Sequence, residues 1–307
     1  MTAGRAVSVV IATLLTAGVL AGCATTAPHV GLAADGRIVV VAAENFWGSI
    51  AAQLGGDKVS VTSIVSNPDT DPHDYEPTPA DARALAESQV AVVNGVGYDP
   101  WAPRLLAADP APHRVLVDVG QVTGVRPGGN PHRWYSPGDV HRVIDRITAA
   151  YQRADPRDAG YFDRRRTTYE TTSLAEYTAL IGRIRARYAG TPIGASESIV
   201  TPLAQGLGLR LVTPRSFLDA VSEGADPTVA DQTTIERQLA RRQIAIYVYN
   251  SQNSTPDVQA QVRAARAAGI PVATVTETLT PAGATFQAWQ VGELRGIERA
   301  LHQATGK

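Results

Sequence analysis

The sequence predicts an α/β protein of two lobes, each a mainly parallel sheet flanked by helices, with one long helix joining them. Three observations predict it. Short apolar runs without polar alternation, such as residues 37–43 (RIVVVAA), have the pattern of strands buried on both faces. These runs alternate with helical patterns, the signature of parallel sheets with crossover helices. Between Pro156 and Pro192 there is no proline, and Phe162, Tyr169, Leu174, Tyr177, Ile181, Ile184 and Tyr188 recur near intervals of three and four or their multiples. That spacing predicts one helix of about 40 Å at 1.5 Å per residue, a connection between two lobes.

At the start, Arg5 supplies positive charge, residues 6–20 form an apolar run too short to span a bilayer comfortably, and Leu20-Ala21-Gly22-Cys23 follows. This resembles a bacterial lipoprotein signal, which implies cleavage before Cys23 and lipidation of that residue. Cys23 is the only cysteine, so no disulfide within the chain is possible and a lipid anchor accounts for the thiol. Residues 23–36, rich in Ala, Thr, Gly and Pro, then read as a tether.

The N-terminal lobe is expected over residues 37–158. Residues 45–54 read as a helix stopped by Gly55-Gly56, and 58–65 as a strand. Thr78-Pro79-Ala80-Asp81 has the form of a helix start, with Thr78 as N-cap, Pro79 at the first helical position and Asp81 facing the unpaired amides of the first turn. Strands follow at 89–93 and 114–119. Ser136-Pro137-Gly138-Asp139 repeats the helix-start design, opening a helix that runs to about residue 153, before Asp155-Pro156. The linking helix covers 159–189. In the C-terminal lobe, 190–307, strands are expected at 192–196, 210–213, 243–249 and 271–276. Helices are expected at 199–206, 228–242, from Pro256 to near Gly269, and at 288–302.

The chain has 307 residues, 44% of them apolar, enough to bury a sizeable core, and its 28 basic residues are balanced by 29 acidic ones. There is no long basic run, so neither nucleic acid nor an anionic membrane surface is expected as the principal partner.

Two histidines share one local design. His73 sits in a strand-to-helix loop beside Asp74, Tyr75 and Glu76, and His132 precedes Trp134, Tyr135 and the helix opened at Ser136. In parallel α/β sheets ligands collect at the carboxyl ends of strands, where helix N-termini point. At that edge the C-terminal half offers Glu197, after a strand and before a helix, and Glu277, directly after a strand. Two imidazoles and two carboxylates on facing edges suit one divalent cation. Taken alone, Glu197 reads rather as a helix-capping carboxylate and Glu277 as an exposed loop acid. Asp74, Glu76, Tyr135 and Asn250 are candidates to orient the ligands.

The stretches HDYEPTPAD at His73, NPHRWYSP at His132, ASESIVTPLAQGLGL around Glu197, VYNSQNSTP and VTETLTP resemble the zinc and manganese solute-binding lipoproteins of metal ABC transporters. The resemblance runs from about residue 38 to 301. It implies two α/β lobes joined by a rigid helix, one metal ligand in each of four loops, and a ligand set of His73, His132, Glu197 and Glu277. Glu277 stands where many members carry aspartate, and Glu197 where zinc-type members often carry histidine. The His-rich acidic loop of many zinc-uptake members is absent, since residues 121–130 alone link Gly120 to Pro131.

Imidazole suits zinc and carboxylate oxygen suits manganese, so the set fits either, with a slight lean to zinc from its place in the Irving–Williams order. The implied protein is a monomer anchored to the outer face of the cytoplasmic membrane, capturing Zn²⁺ or Mn²⁺ for an ABC permease and its ATPase. Four protein ligands leave little room for an activated water, and HExxH is absent, so an enzyme is not expected. The alternatives are a cell-envelope metallohydrolase with Glu76 as base, and an adhesin or organic-solute-binding lipoprotein.

Overall fold

The computed structural model describes residues 1, 36–68, 70, 75–253 and 255–307. The signal segment, Cys23, His73 and Asp74 lie outside the described residues. Among the described residues eight strands form two four-stranded parallel sheets, with orders β2-β1-β3-β4 and β6-β5-β7-β8.

The first sheet is made by β1 (Ile38–Glu44), α1 (Asn45–Gly55), β2 (Val59–Val65), α2 (Pro79–Glu87), β3 (Val90–Val93), α3 (Trp101–Ala108) and β4 (Val115–Asp118). Val40 of β1 pairs with Val61 on one side and Val90 on the other, so the unbroken apolar run is the central strand covered on both faces, as its pattern predicts. The chain continues through α4 (Val119–Thr123) to α5 (Pro137–Ala154). Then come α6 (Ala159–Thr168) and α7 (Ala175–Tyr188), and the second sheet follows: β5 (Pro192–Ala195), α8 (Val200–Leu207), β6 (Arg210–Leu211), α9 (Arg215–Ser222), α10 (Val229–Ala240), β7 (Ile246–Asn250), α11 (Pro256–Ala267), β8 (Val272–Val275) and α12 (Phe286–Thr305).

The two helix starts built alike in sequence differ in detail. At α2 the capping box forms: the Asp81 N–H donates to Thr78 Oγ1 at 3.3 Å and the Thr78 N–H to Asp81 Oδ2 at 2.7 Å. At α5 the Ser136 side chain makes no cap bond. Asp139 instead accepts from Arg133 Nε at 2.8 Å and pairs with Arg142 at 3.3 Å, so its carboxylate pins the 3₁₀ turn Arg133–Tyr135 that follows His132.

The long helix is not uniformly α-helical. A π-helical turn, Tyr169–Ser173, separates α6 from α7, with the Leu174 N–H reaching Tyr169 O at 2.9 Å. Its cause is in the sequence. Tyr169 and Leu174 are five residues apart, which in an α-helix puts them about 140° out of phase, and the wider turn brings both into the core.

One continuous core runs under both sheets. Phe46 of α1 stacks on Trp134 with ring centres 4.1 Å apart, Trp134 adjoins Tyr135, Tyr135 packs on Trp289 of α12 at 5.7 Å, and Phe286 meets Tyr177 of α7 at 6.1 Å. Around this aromatic seam Gln53 and Gln287 exchange two amide hydrogen bonds, 3.1 and 2.7 Å, and the Phe286 N–H donates to Ser49 Oγ at 2.9 Å. Truncating Phe46, fully buried at this seam, is expected to cost about 3–5 kcal/mol. Denaturant unfolding of Phe46→Ala followed by near-UV and far-UV dichroism checks it, and the two signals should move together because both lobes share the damaged core.

Candidate metal centre at the lobe junction

His132 follows a Gly- and Pro-rich loop and is fully buried. Its Nδ1 lies 3.0 Å from Asn130 Oδ1, which also accepts the His132 backbone N–H at 3.0 Å. The Asn130 amide cannot be turned round, because its Nδ2 donates to the Ser198 carbonyl of the opposite lobe at 2.7 Å. An acceptor oxygen at Nδ1 fixes the proton there and leaves Nε2 as the lone-pair nitrogen, the arrangement of a metal-ligating histidine. Edge contacts from Trp134 and Tyr98, at 5.2 and 5.9 Å between ring centres, hold the imidazole plane.

Glu197 lies between β5 and α8 and is buried. It does not cap α8, whose N-cap is Ile199 with no side-chain bond; Oε2 of Glu197 accepts from Asn253 Nδ2 at 3.3 Å. Glu277, beyond β8, is 6% exposed and so is not a loop acid in solvent. Its Oε1 accepts from Asn250 Nδ2 at 2.9 Å, its Oε2 from the Tyr98 hydroxyl at 2.8 Å, and its backbone N–H donates to Gln252 Oε1.

Tyr98 thus touches His132 through its ring and Glu277 through its hydroxyl, one lobe reaching a candidate ligand of the other. Asn130 makes the second bridge, from His132 to the residue after Glu197. His132, Glu277, Asn130 and Asn253 line a cleft of about 1110 Å³ between the lobes. Among the described residues no group of three or more His, Cys, Asp or Glu side chains is arranged to hold a metal by itself. Of the suggested orienting residues, Asn250 holds a candidate ligand, Glu76 is exposed, and Asp74 lies outside the described residues. Tyr135 does not orient an imidazole: its hydroxyl is directed to Thr276 and Glu293.

Sequence reasoning missed Tyr98, Asn130 and Asn253. Asn130 and Asn253 lay within motifs already singled out, and their polarity beside a candidate ligand was the available signal. Tyr98 gave none.

Behind His132 the backbone is set by a buried acid, Asp99, with a second, Glu44, beside it. Asp99 accepts the N–H groups of Asn94 and Gly95, each at 2.8 Å, while Asn94 receives Trp47 Nε1 at 3.0 Å and donates to the Pro131 carbonyl at 2.9 Å. Burial pushes Asp99 up to about 6 against those backbone bonds, and burial followed by the charge of Asp99 holds Glu44 well above the usual carboxylate range. Burial thus disfavours the charged form of both, and only Asp99 is given backbone donors that suit a carboxylate. The loop that Asp99 anchors contains Val96 at φ 58°, a left-handed conformation rare for a β-branched residue, between Gly95 and Gly97. That strained turn aims Tyr98 at Glu277.

The chain matches, over residues 40–300, the family described as zinc-uptake complex component A, periplasmic. Among curated relatives it is 29% identical over 147 residues to the manganese-binding lipoprotein MntA of Halalkalibacterium halodurans, covering 46% of this chain and 47% of that one. It is 25% identical over 218 residues to the iron-binding protein YfeA of Yersinia pestis, covering 63% and 68%. It is 22% identical over 301 residues to the zinc-binding lipoprotein AdcA of Streptococcus pneumoniae, covering 88% and 57%. The match thus spans about half the length of the first and third of these relatives. The fold resembles a Mn-bound periplasmic metal binding protein from Candidatus Liberibacter asiaticus, with TM-score 0.71 and 18% identity over 86% of this chain and 100% of that one. It also resembles the Ni²⁺ complex of FpvC from P. aeruginosa, with TM-score 0.70 and 19% identity over 88% and 99%. Two four-stranded parallel sheets with a polar cleft at their strand ends are the frame on which that sequence match lies, and the chain belongs to the periplasmic zinc-uptake complex component A family.

Proposed function

We propose that this protein captures a divalent transition metal, zinc or manganese, between its two lobes and delivers it to an ABC permease driven by its ATPase. The ligands are His73, His132, Glu197 and Glu277, with residues 37–158 and 190–307 as the lobes and 159–189 as the helix between. The observation that carries the reading is the hydrogen bonding of His132 and Glu277. Asn130 directs Nε2 of His132 to act as a ligand, and Asn250 and Tyr98 each give a donor to one oxygen of Glu277, the pattern a carboxylate takes. Family membership supports the same reading, and the names of relatives that bind manganese, iron and zinc keep the ion open within the transition metals.

The donor count favours binding over catalysis, since four protein ligands leave little room for an activated water. Glu76, the only base put forward for a hydrolase, is exposed. Cys23 supplies the lipid anchor, holding the chain as a monomer on the outer face of the cytoplasmic membrane.

Titration calorimetry on protein stripped of metal by a chelator is expected to give one tight site for zinc or manganese. His132→Ala and Glu277→Ala should each weaken it by about 100-fold or more with far-UV dichroism unchanged. A protein indifferent to both ions would sink the reading, and a variant of unchanged affinity would remove that residue from the ligand set. Asn130→Ala, which frees the imidazole tautomer without removing a ligand, should cost about 10–100-fold. Cys23→Ala should move the protein from the membrane to the soluble envelope fraction and abolish incorporation of labelled fatty acid; retention of the label elsewhere would refute the anchor.

A further inference from the structure

Glu293 sits on α12 with its carboxyl group turned inward, between the end of β8 and the 3₁₀ turn of the other lobe. Oε2 is 2.6 Å from the Tyr135 hydroxyl, which is itself 2.8 Å from the Thr276 carbonyl. Oε1 receives the Thr276 N–H at 2.8 Å and lies 3.0 Å from Thr276 Oγ1, which is also 3.0 Å from the Thr278 carbonyl. Trp289 Nε1 donates to Thr276 Oγ1 at 2.8 Å.

The protons do not suffice if Glu293 is ionised. Four oxygen–oxygen contacts of hydrogen-bond length then have only the two hydroxyl protons of Tyr135 and Thr276 to fill them. A proton on Oε2 repairs the shortest contact: the acid donates to Tyr135 Oη, whose own proton goes to the Thr276 carbonyl, and only one of the two 3.0 Å contacts of Thr276 Oγ1 is left without a proton.

We propose that Glu293 is held as a neutral carboxylic acid and is the positioning residue that fixes the strand end carrying Glu277 against Tyr135 of the opposite lobe. The effect on metal capture rests on the function proposed above; the protonation does not. The groups bonded to the carboxyl, Tyr135 and Thr276, are neutral, and the nearest acid is Glu277 beyond them. Burial pushes Glu293 up to about 8, opposed by hydrogen bonds from Tyr135, Thr276 and Trp289. Tyr135 is itself raised well above its ordinary value by burial and then by Glu293, with Glu277 a smaller contribution. From the other packed elements, β7 presents Ile246 and Val248, β8 Ala273 and Val275, and α1 Gln53. Tyr177 of α7 is raised by burial, and α7's Glu176 and Arg183 are engaged at the surface with Arg295 and Glu298 of α12.

The sign follows from proton binding. Between the ordinary carboxylate value of 4.5 and about 8 the folded state holds a proton that the unfolded chain has lost, so this contribution to stability is full below that interval and disappears as pH rises through it. Glutamine cannot titrate, and it reproduces the neutral acid, its amide nitrogen donating to Tyr135 and its oxygen accepting from Thr276.

The test compares Glu293→Gln and Glu293→Leu with the wild type as full chains. The melting temperature of metal-stripped protein is followed from pH about 5 to about 10. The advantage of Glu293→Gln over wild type should widen as pH rises towards about 8 and level off beyond it; a difference constant with pH overturns the proposal. In zinc and manganese titrations near pH 6, Glu293→Gln should stay within about threefold of wild type while Glu293→Leu weakens by about tenfold or more. Glutamine as weak as leucine overturns the positioning role, and if leucine does not fold, a glutamine loss beyond about threefold does so alone. Failure of the wild type to bind either ion would refute metal capture instead, with the melting comparison still deciding the proton.

Discussion

A buried polar atom left without a partner costs about 1–3 kcal/mol, and the seam between the two sheets is where this chain buries most of its chemically useful atoms. The seam is therefore built from pairs that cross it. Asn130 of one lobe donates to the Ser198 carbonyl of the other, Tyr98 to Glu277, and Tyr135 to the Thr276 carbonyl. Each pair satisfies a group that its own lobe leaves unmatched, and each ends on or beside a candidate ligand. The positions of those ligands are consequences of satisfying the seam.

The same pairs bear on motion. An expectation of two lobes closing on a cation treats the long helix as the connection between otherwise separate bodies. Here the bodies share a core: Phe46, Trp134, Tyr135 and Trp289 pack in sequence across the junction, and the π turn of the helix exists to keep Tyr169 and Leu174 both in it. Parting the lobes would expose this aromatic surface, at roughly 25 cal/mol for each Å², and break the crossing hydrogen bonds together. A rearrangement confined to the loops at the cleft would disturb neither and would cost less.

Much of this was readable in the residues. Central strands declare themselves by unbroken β-branched runs, and the capping box at Thr78 and Asp81 forms as its spacing requires. What was not readable depends on contacts far apart in sequence. Tyr98 lies 179 residues from its partner Glu277, and nothing around it distinguishes it from a tyrosine in any turn. Glu197 and Glu277 look like surface acids by local pattern, and their burial is not legible there; only the resemblance favoured them as ligands. The π turn was written in a five-residue step between Tyr169 and Leu174 that a search for threes and fours passes over. Helix α3 was missed because Pro103 interrupts its pattern, although a proline in the first turn removes no helical hydrogen bond. His73 and Asp74 rest on the sequence alone.

The remaining constraint is charge. Glu44, Asp99, Glu197, Glu277 and Glu293 all lie in or behind the seam, and five ionised carboxylates taken out of water together would repel one another strongly. The chain sorts them by the partners it supplies. Glu44 is given only another acid, and Glu293 a tyrosine already committed to a carbonyl, so each retains a proton. Glu197 and Glu277 are given amide and hydroxyl donors, which suit a charged oxygen. Glu44 and Glu293 are thereby kept from adding charge behind the cleft, while Asp99 has backbone donors of its own. For the metal capture proposed above, supporting acids that hold their own protons let the frame stand without a cation to neutralise them.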